Sequence, residues 1–310
     1  MRDSFGRNID YLRISLTDRC NLRCRYCMPE EGVEKFLHQD ILRFEEIKRV
    51  IRIFREMGFV KFRFTGGEPL LRRGVFDFLE SLPIHNYYIT TALAIENLDV
   101  ARLNQLDLGG LNVSCDSLRP ERYRYITRRG DLRIFLSNLQ QVRVEKLKIN
   151  VVVIKDFNED EIVDFIDFAE RSQATVRFIE VMDFSAGDLK FSSLTDIKEE
   201  LIEKGIIEPK GFQINNSVSE YHSLTGRDGK VGFITPITHH FCRNCDKIRL
   251  LSNGEIKLCI FDNKKYNLRE LLRNNSDDKY IKDWLTDIIQ YKLFKPVMRK
   301  SSETMAEIGG

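Results

Sequence analysis

Cys20, Cys24 and Cys27 fall within eight positions of the stretch DRCNLRCRYCMPE, separated by three and then two residues. Three thiols this close cannot all pair with one another. As thiolates they are soft ligands suited to zinc or to an iron–sulfur cluster. A cubane [4Fe–4S] cluster on three cysteines leaves one iron open to a small molecule. A three-cysteine zinc knob completed elsewhere, for example by His38, uses the same thiols structurally, and spacing alone leaves both readings open. A second triplet, Cys242, Cys245 and Cys259, spans FCRNCDKIRLLSNGEIKLCIF. Asn253-Gly254 signals a hairpin; a two-residue turn pairs Ser252 with Glu255 and sets Cys259 opposite Ile248, back beside Cys242 and Cys245. Its rival is a zinc ribbon completed by His239 or His240, and taken alone this segment favours zinc. Cys115 reads as a small buried apolar residue.

A βα rhythm through the first 182 residues supplies the elements that must position these thiols. Strand-like runs lie at 11–17, 59–65, 86–91, 110–116, 147–154 and 174–181. Between most of them are amphipathic stretches, clearest over 44–58, where Ile47, Val50, Ile51 and Phe54 share a face and Gly58 is a stop. Alternating strand and helix predicts a parallel sheet with helices outside, and six units rather than eight predict a partial TIM-like α/β barrel with an open side. The first triplet comes just after the first strand, at the end where barrel enzymes place their chemistry. Residues 183–310 change character, with short strands and then helical stretches at 267–273 and 277–293. They are read as an α+β module closing the open side.

The strands alternate in an unusual way. Parallel barrel strands are commonly apolar on both faces. Here Phe62 and Phe64 oppose Lys61, Arg63 and Thr65 on the two-residue period. The polar set also holds Arg13, Ser15, Thr90, Asn112, Ser114, Asp116, Lys148, Asn150 and Arg177, and it is expected to face inward. The cations Arg13, Lys61, Arg63, Lys148 and Arg177 outnumber the lone acid Asp116, which points to an anionic ligand such as a polyphosphate; an internal salt-bridge network is the plainer reading.

The 310 residues are 42% hydrophobic, enough for a sizeable core, and Lys plus Arg (49) nearly balance Asp plus Glu (47), leaving a formal charge of +2. That balance argues against nucleic-acid binding and against a membrane-surface protein. The longest aliphatic run falls far short of the ~20 residues of a membrane span. The polar start MRDSFGRNID lacks a signal-peptide core, so the expected compartment is the cytoplasm, where disulfides are rare.

CNLRCRYC followed by TGGEPL (65–70) is the signature of radical S-adenosylmethionine (radical SAM) enzymes. With RISLTDRCNLRCRYCMPE, FRFTGGEPLLRR, LNVSCDS, KINVV, RFIEVMD, the FCRNC…C hairpin and the terminal IGG, the chain resembles the GTP 3′,8-cyclases of molybdenum cofactor biosynthesis along nearly its whole length. The resemblance implies two [4Fe–4S] clusters, one on Cys20, Cys24 and Cys27, the other on Cys242, Cys245 and Cys259. It implies S-adenosylmethionine at the first cluster, met by Gly66, Gly67 and Glu68 and by Tyr26, Ser114 and Met182. GTP would lie at the second. Arg13, Arg63, Thr90, Lys148, Lys247, Ile248 and Arg249 match GTP-contacting positions, and Arg13, Lys61 and Arg177 match basic positions of the catalytic pocket. The tail, with Gly309 and Gly310, would thread into the site. The implied partners are GTP, a flavodoxin- or ferredoxin-type electron donor, the downstream cyclic pyranopterin monophosphate synthase and a second copy of the chain. Two departures stand out. The family's Thr-Thr-Asn-Gly is here Thr90-Thr91-Ala92-Leu93, and Lys247 stands where the family commonly has Arg, which loses the bidentate fork.

Overall fold

A computed structural model describes residues 1–182, 189–214, 218–294 and 303–309. The six expected strands form at Tyr11–Ser15 (β1), Lys61–Thr65 (β2), Tyr87–Thr91 (β3), Leu108–Ser114 (β4), Leu147–Val153 (β5) and Thr175–Glu180 (β6). They lie side by side in chain order, all parallel. Helices cross between them. The first, Phe44–Glu56 (α1), buries Ile47, Val50, Ile51, Ile53 and Phe54 and starts with a capping box between Arg43 and Glu46. Phe62, Phe64, Ile89 and Ile149 point to this helical side and join the apolar core.

The sheet does not stop at six strands. Six further strands lie at Phe212–Gln213 (β7), Glu220–Ser223 (β8), Lys230–Ile234 (β9), Lys247–Leu250 (β10), Glu255–Lys257 (β11) and Tyr266–Asn267 (β12). β9 pairs parallel with β6, and β10 pairs parallel with β1. The twelve-stranded order is β12-β11-β10-β1-β2-β3-β4-β5-β6-β9-β8-β7, and the sheet stays open. The C-terminal part therefore extends both edges of the partial barrel as one continuous sheet. Its strands cover the unpaired backbone groups that β1 and β6 would otherwise expose. Two helices close the chain, Leu268–Arg273 and Asp278–Ile289; Asp278 of the second pairs with Arg49 of α1 at 2.8 Å. No described helix is long and apolar enough to cross a membrane.

The β10–β11 hairpin has a different register from the expected one. Arg249 faces Lys257 and Leu250 faces Ile256, with Leu251 N donating to Glu255 O at 2.8 Å. The loop thus holds three residues, Ser252 to Gly254, and Gly254 at φ 83° supplies the left-handed position that such a loop needs. Carried outward, this register brings Cys259 level with Lys247, not Ile248. A single step along a strand changes the face.

Candidate active site

The inner face of β1–β6 lines one cavity of about 490 Å³. The alternation puts Arg13, Lys61, Arg63, Thr90, Asn112, Ser114, Lys148, Asn150 and Arg177 on its wall, as the strand period requires. From β10 and its flanking loops come Cys242, Cys245, Lys247, Arg249 and Cys259. Ile248 departs from expectation. It is fully buried in the apolar core on the other face of β10, so its side chain cannot touch a ligand in the cavity.

The cations are braced before any anion arrives. Arg63 donates to the Tyr11 hydroxyl, to Thr90 Oγ1 at 3.1 Å and to Ile89 O at 3.2 Å. Arg177 grips Asn150 Oδ1 at 2.6 and 2.9 Å. With the Asn112 amide oxygen turned inward, it accepts from both Arg177 (2.7 Å) and Arg63 (2.9 Å). Lys61 lies 4.6 Å from the Tyr11 ring centre and Lys247 5.1 Å from it, so this one phenol sits between three cations. Burial opposes ionisation of Tyr11, but Arg63, Arg13, Lys61 and Lys247 outweigh it and bring the phenol down to about 8. Burial and neighbouring cations push Arg13 down to about 9, and burial lowers Lys61, Lys148, Arg177 and Arg249 as well. A cavity this rich in desolvated cations is suited to several negative charges at once.

The first triplet sits at the C-terminal end of β1. Burial pushes the Cys20 thiol up to about 11 and, with Cys20 and Asp116 near it, the Cys27 thiol up to about 12; burial and the neighbouring Cys27 also raise Cys24 well above the ordinary thiol range. All seven cysteines are free of disulfides. The Gly66-Gly67 turn presses on this loop: Gly67 N donates to Thr17 O at 2.7 Å, and a Cβ on Gly67 would lie 2.2 Å from Arg19 O. Gly67 itself lies beside the loop, off the cavity wall. Glu68 is buried and accepts from Ala92 N (2.7 Å), Thr91 Oγ1 (2.8 Å) and Leu70 N (3.1 Å). Burial outweighs these donors and leaves its carboxyl at about 7. Tyr26, from between Cys24 and Cys27, donates to Asp116 at 2.8 Å and lines the cavity with Ser114 and Met182.

The second triplet is electrostatically different. Cys242 is raised by burial and by Cys259 and Cys245. Cys245 is lowered, because Lys292 and Lys247 outweigh its burial. Lys292, missed in the sequence, is buried with its ammonium on Lys247 O (2.7 Å) and Leu258 O (2.5 Å). Tyr11 and Tyr221, which also line the cavity, were missed too; the Lys148 ammonium lies 5.9 Å from the Tyr221 ring centre. Alternation would have found Tyr11, two residues before Arg13; Tyr221 and Lys292 carry no local signal. As for zinc, His240 Nδ1 bonds Pro236 O at 2.7 Å, and His38 is in an exposed turn. Among the described residues no three His, Cys, Asp or Glu side chains converge on a single metal-ion site. Three soft thiols in each triplet remain a donor set suited to an iron–sulfur cluster.

The tail reaches this site. Thr65 Oγ1 donates to Gly309 O at 2.8 Å, Ala306 N donates to Cys27 O at 3.2 Å, and Met305 lines the cavity. A Cβ on Gly309 would lie 3.1 Å from Ser15 Cβ. Gly310 lies outside the described residues.

The Radical SAM superfamily model matches residues 14–169, and the Molybdenum Cofactor Synthesis C model matches 174–296. A GTP 3′,8-cyclase of Syntrophomonas wolfei subsp. wolfei is 41% identical, with both chains covered in full. The chain belongs to the GTP 3′,8-cyclase family. Molybdenum cofactor biosynthesis protein 1 of Drosophila melanogaster is 40% identical over 93% of this chain and 52% of its own length. Among solved structures, Streptococcus suis SuiB bound to the precursor peptide SuiA superposes with a TM-score of 0.62 at 16% identity, covering 91% of this chain and 67% of that one. That likeness concerns the fold.

The departures from the family pattern are accommodated locally. Ala92 supplies its N–H to Glu68, which needs no particular side chain. Leu93 keeps a left-handed φ of 53° although it is not glycine, and its side chain is fully buried. Lys247 is paired with Asp246 at 2.5 Å.

Proposed function

We propose that this chain is a GTP 3′,8-cyclase, a radical SAM lyase that converts GTP to (8S)-3′,8-cyclo-7,8-dihydroguanosine 5′-triphosphate, the first step of molybdenum cofactor biosynthesis. The observation that supports this is the cavity itself, whose braced cations share a wall with Cys242, Cys245 and Cys259 and with Tyr26 of the first cysteine loop. Cys20, Cys24 and Cys27 would hold the first [4Fe–4S] cluster, and Cys242, Cys245 and Cys259 the second. With S-adenosylmethionine bound, the first cluster would supply the electron that releases a 5′-deoxyadenosyl radical able to take the hydrogen from ribose carbon 3′.

The chain's own groups do the rest. Gly67 lets the turn approach closely, while Glu68, Tyr26, Ser114 and Met182 orient S-adenosylmethionine. Arg13, Arg63, Lys148, Lys247 and Arg249 take the triphosphate, with Thr90 behind Arg63. Lys61 and Arg177 complete the catalytic pocket. The docked tail keeps water from the radical. We assign the radical chemistry to 1–182 and purine binding to 183–310, and infer a flavodoxin- or ferredoxin-type donor, a downstream cyclic pyranopterin monophosphate synthase, a homodimer and a cytoplasmic setting by family membership.

The test is one anaerobic turnover with iron-reconstituted protein, S-adenosylmethionine, a strong reductant and GTP deuterated at ribose carbon 3′. Deuterium in the 5′-deoxyadenosine is the expected result. Formation of unlabelled 5′-deoxyadenosine would show that GTP is the wrong substrate.

A further inference from the structure

Glu303 opens the last described segment, and only 14% of its side chain is exposed. Its carboxylate pairs with Lys257, whose side chain is fully buried on β11, and with Lys265 at 2.5 Å. Lys265 also reaches Glu255 at 3.6 Å, so the four charges form one chain along the hairpin edge. Burial opposes ionisation of Glu303, yet the two lysines hold its carboxyl below the usual range. A buried lysine needs such a partner, since an isolated ammonium in the interior is costly.

Directly after Glu303 the chain makes a braced turn. Thr304 N donates to Glu307 Oε2 at 2.7 Å, Thr304 Oγ1 to the same oxygen at 2.9 Å, and Glu307 N to Thr304 O at 3.1 Å. Ile308 is fully buried. The turn is thus a stiff link between Glu303 at its root and Gly309 against Ser15 and Thr65. Lys257 also pairs in register with Arg249, a cavity residue, so the root of the tail is tied to the strand pair that carries the second triplet.

We propose that Glu303, clasped by Lys257 and Lys265, is the latch that holds the C-terminal tail docked in the active site. These are positioning residues: none of the three lines the cavity. The inference deepens the cyclase reading only through the tail's place in the site. Its primary readout is therefore independent of GTP chemistry.

The experiment is hydrogen exchange by mass spectrometry on the anaerobic, cluster-loaded full chain, comparing wild type with Glu303→Gln and Glu303→Asp. Exchange of the amides of 304–309 should speed up by about tenfold or more in Glu303→Gln, the scale of losing a charge-assisted hydrogen bond. Glu303→Asp should fall between, and the helix Asp278–Ile289 should be unchanged in both. Unchanged protection of 304–309 in Glu303→Gln would overturn the latch. If that variant loosens throughout, Lys265→Gln decides by the same readout, because Lys265 is half-buried and its loss leaves no ammonium stranded. As a second measure, Glu303→Gln should lower the ratio of cyclised product to 5′-deoxyadenosine. A failure of the GTP reading would remove this ratio without touching the exchange result.

Discussion

Tyr11 shows how much of this site is decided one residue at a time. It sits two positions before Arg13, carries no charge of its own at neutral pH, and yet stands between Arg63, Lys61 and Lys247. Its phenol, at about 8, ionises below the free value of 10.0. Between those two values the unfolded chain binds the extra proton, so stability gains from Tyr11 as pH rises from about 8 to 10 and loses it as pH falls back through 8. Ultraviolet difference titration of wild type against Tyr11→Phe should isolate one tyrosinate forming near pH 8. A difference spectrum that appears only near pH 10 would mean the cations do not act on it. The same variant keeps the ring under Lys61 and Lys247 but drops the acceptor for Arg63. It is expected to raise the KM for GTP several-fold, about 1 kcal/mol, with a smaller change in kcat, in steady-state assays.

At the scale of an element, the loop after β3 holds the informative conflict. Leu93 occupies a left-handed backbone position that costs a β-carbon residue roughly 1 kcal/mol, while its side chain is fully buried. The two terms oppose each other, and the Ala and Gly variants separate them. Leu93→Ala loses the buried side chain and keeps the strain, for about 3 kcal/mol of destabilisation; Leu93→Gly loses the same burial but relieves the strain, so it should be the milder by roughly 1 kcal/mol. Urea unfolding of the two variants gives the order directly. The reverse order would mean that the loop relaxes to an extended conformation. Asn138 Nδ2 bonds both Leu93 O (2.7 Å) and Ile95 O (2.9 Å), which pins this loop from the helix Leu132–Gln141.

At the scale of the whole molecule, the sheet runs through the division at residue 183. β9 and β10 cover the two edges of β1–β6, so residues 1–182 alone would present two bare parallel edges and half a cavity. Expressed by themselves they should aggregate, whereas removal of 304–310 should leave a folded chain with a melting temperature within a few degrees of the parent and with cyclisation lost. Size-exclusion chromatography and thermal melts distinguish these outcomes; a soluble monomer from 1–182 would show that the C-terminal strands are dispensable to the fold.

Local periodicity determined a good deal. The six parallel strands, the face of α1 and the inward set of cations all come from the two- and 3.6-residue repeats, because burial on one side of an element enforces them over many residues at once. The cysteine spacings and GGEP likewise hold their meaning within a few positions. Tertiary structure decided what depends on one residue of register or on distant partners. The hairpin slipped by one because Gly254 made a three-residue loop, Ile248 turned into the core, Lys292 arrived beside Cys245 from forty-seven residues away, and Glu303 found Lys257. A strand repeat says which residues share a face but not which strands become neighbours, and it is neighbours that set the charge on a buried group.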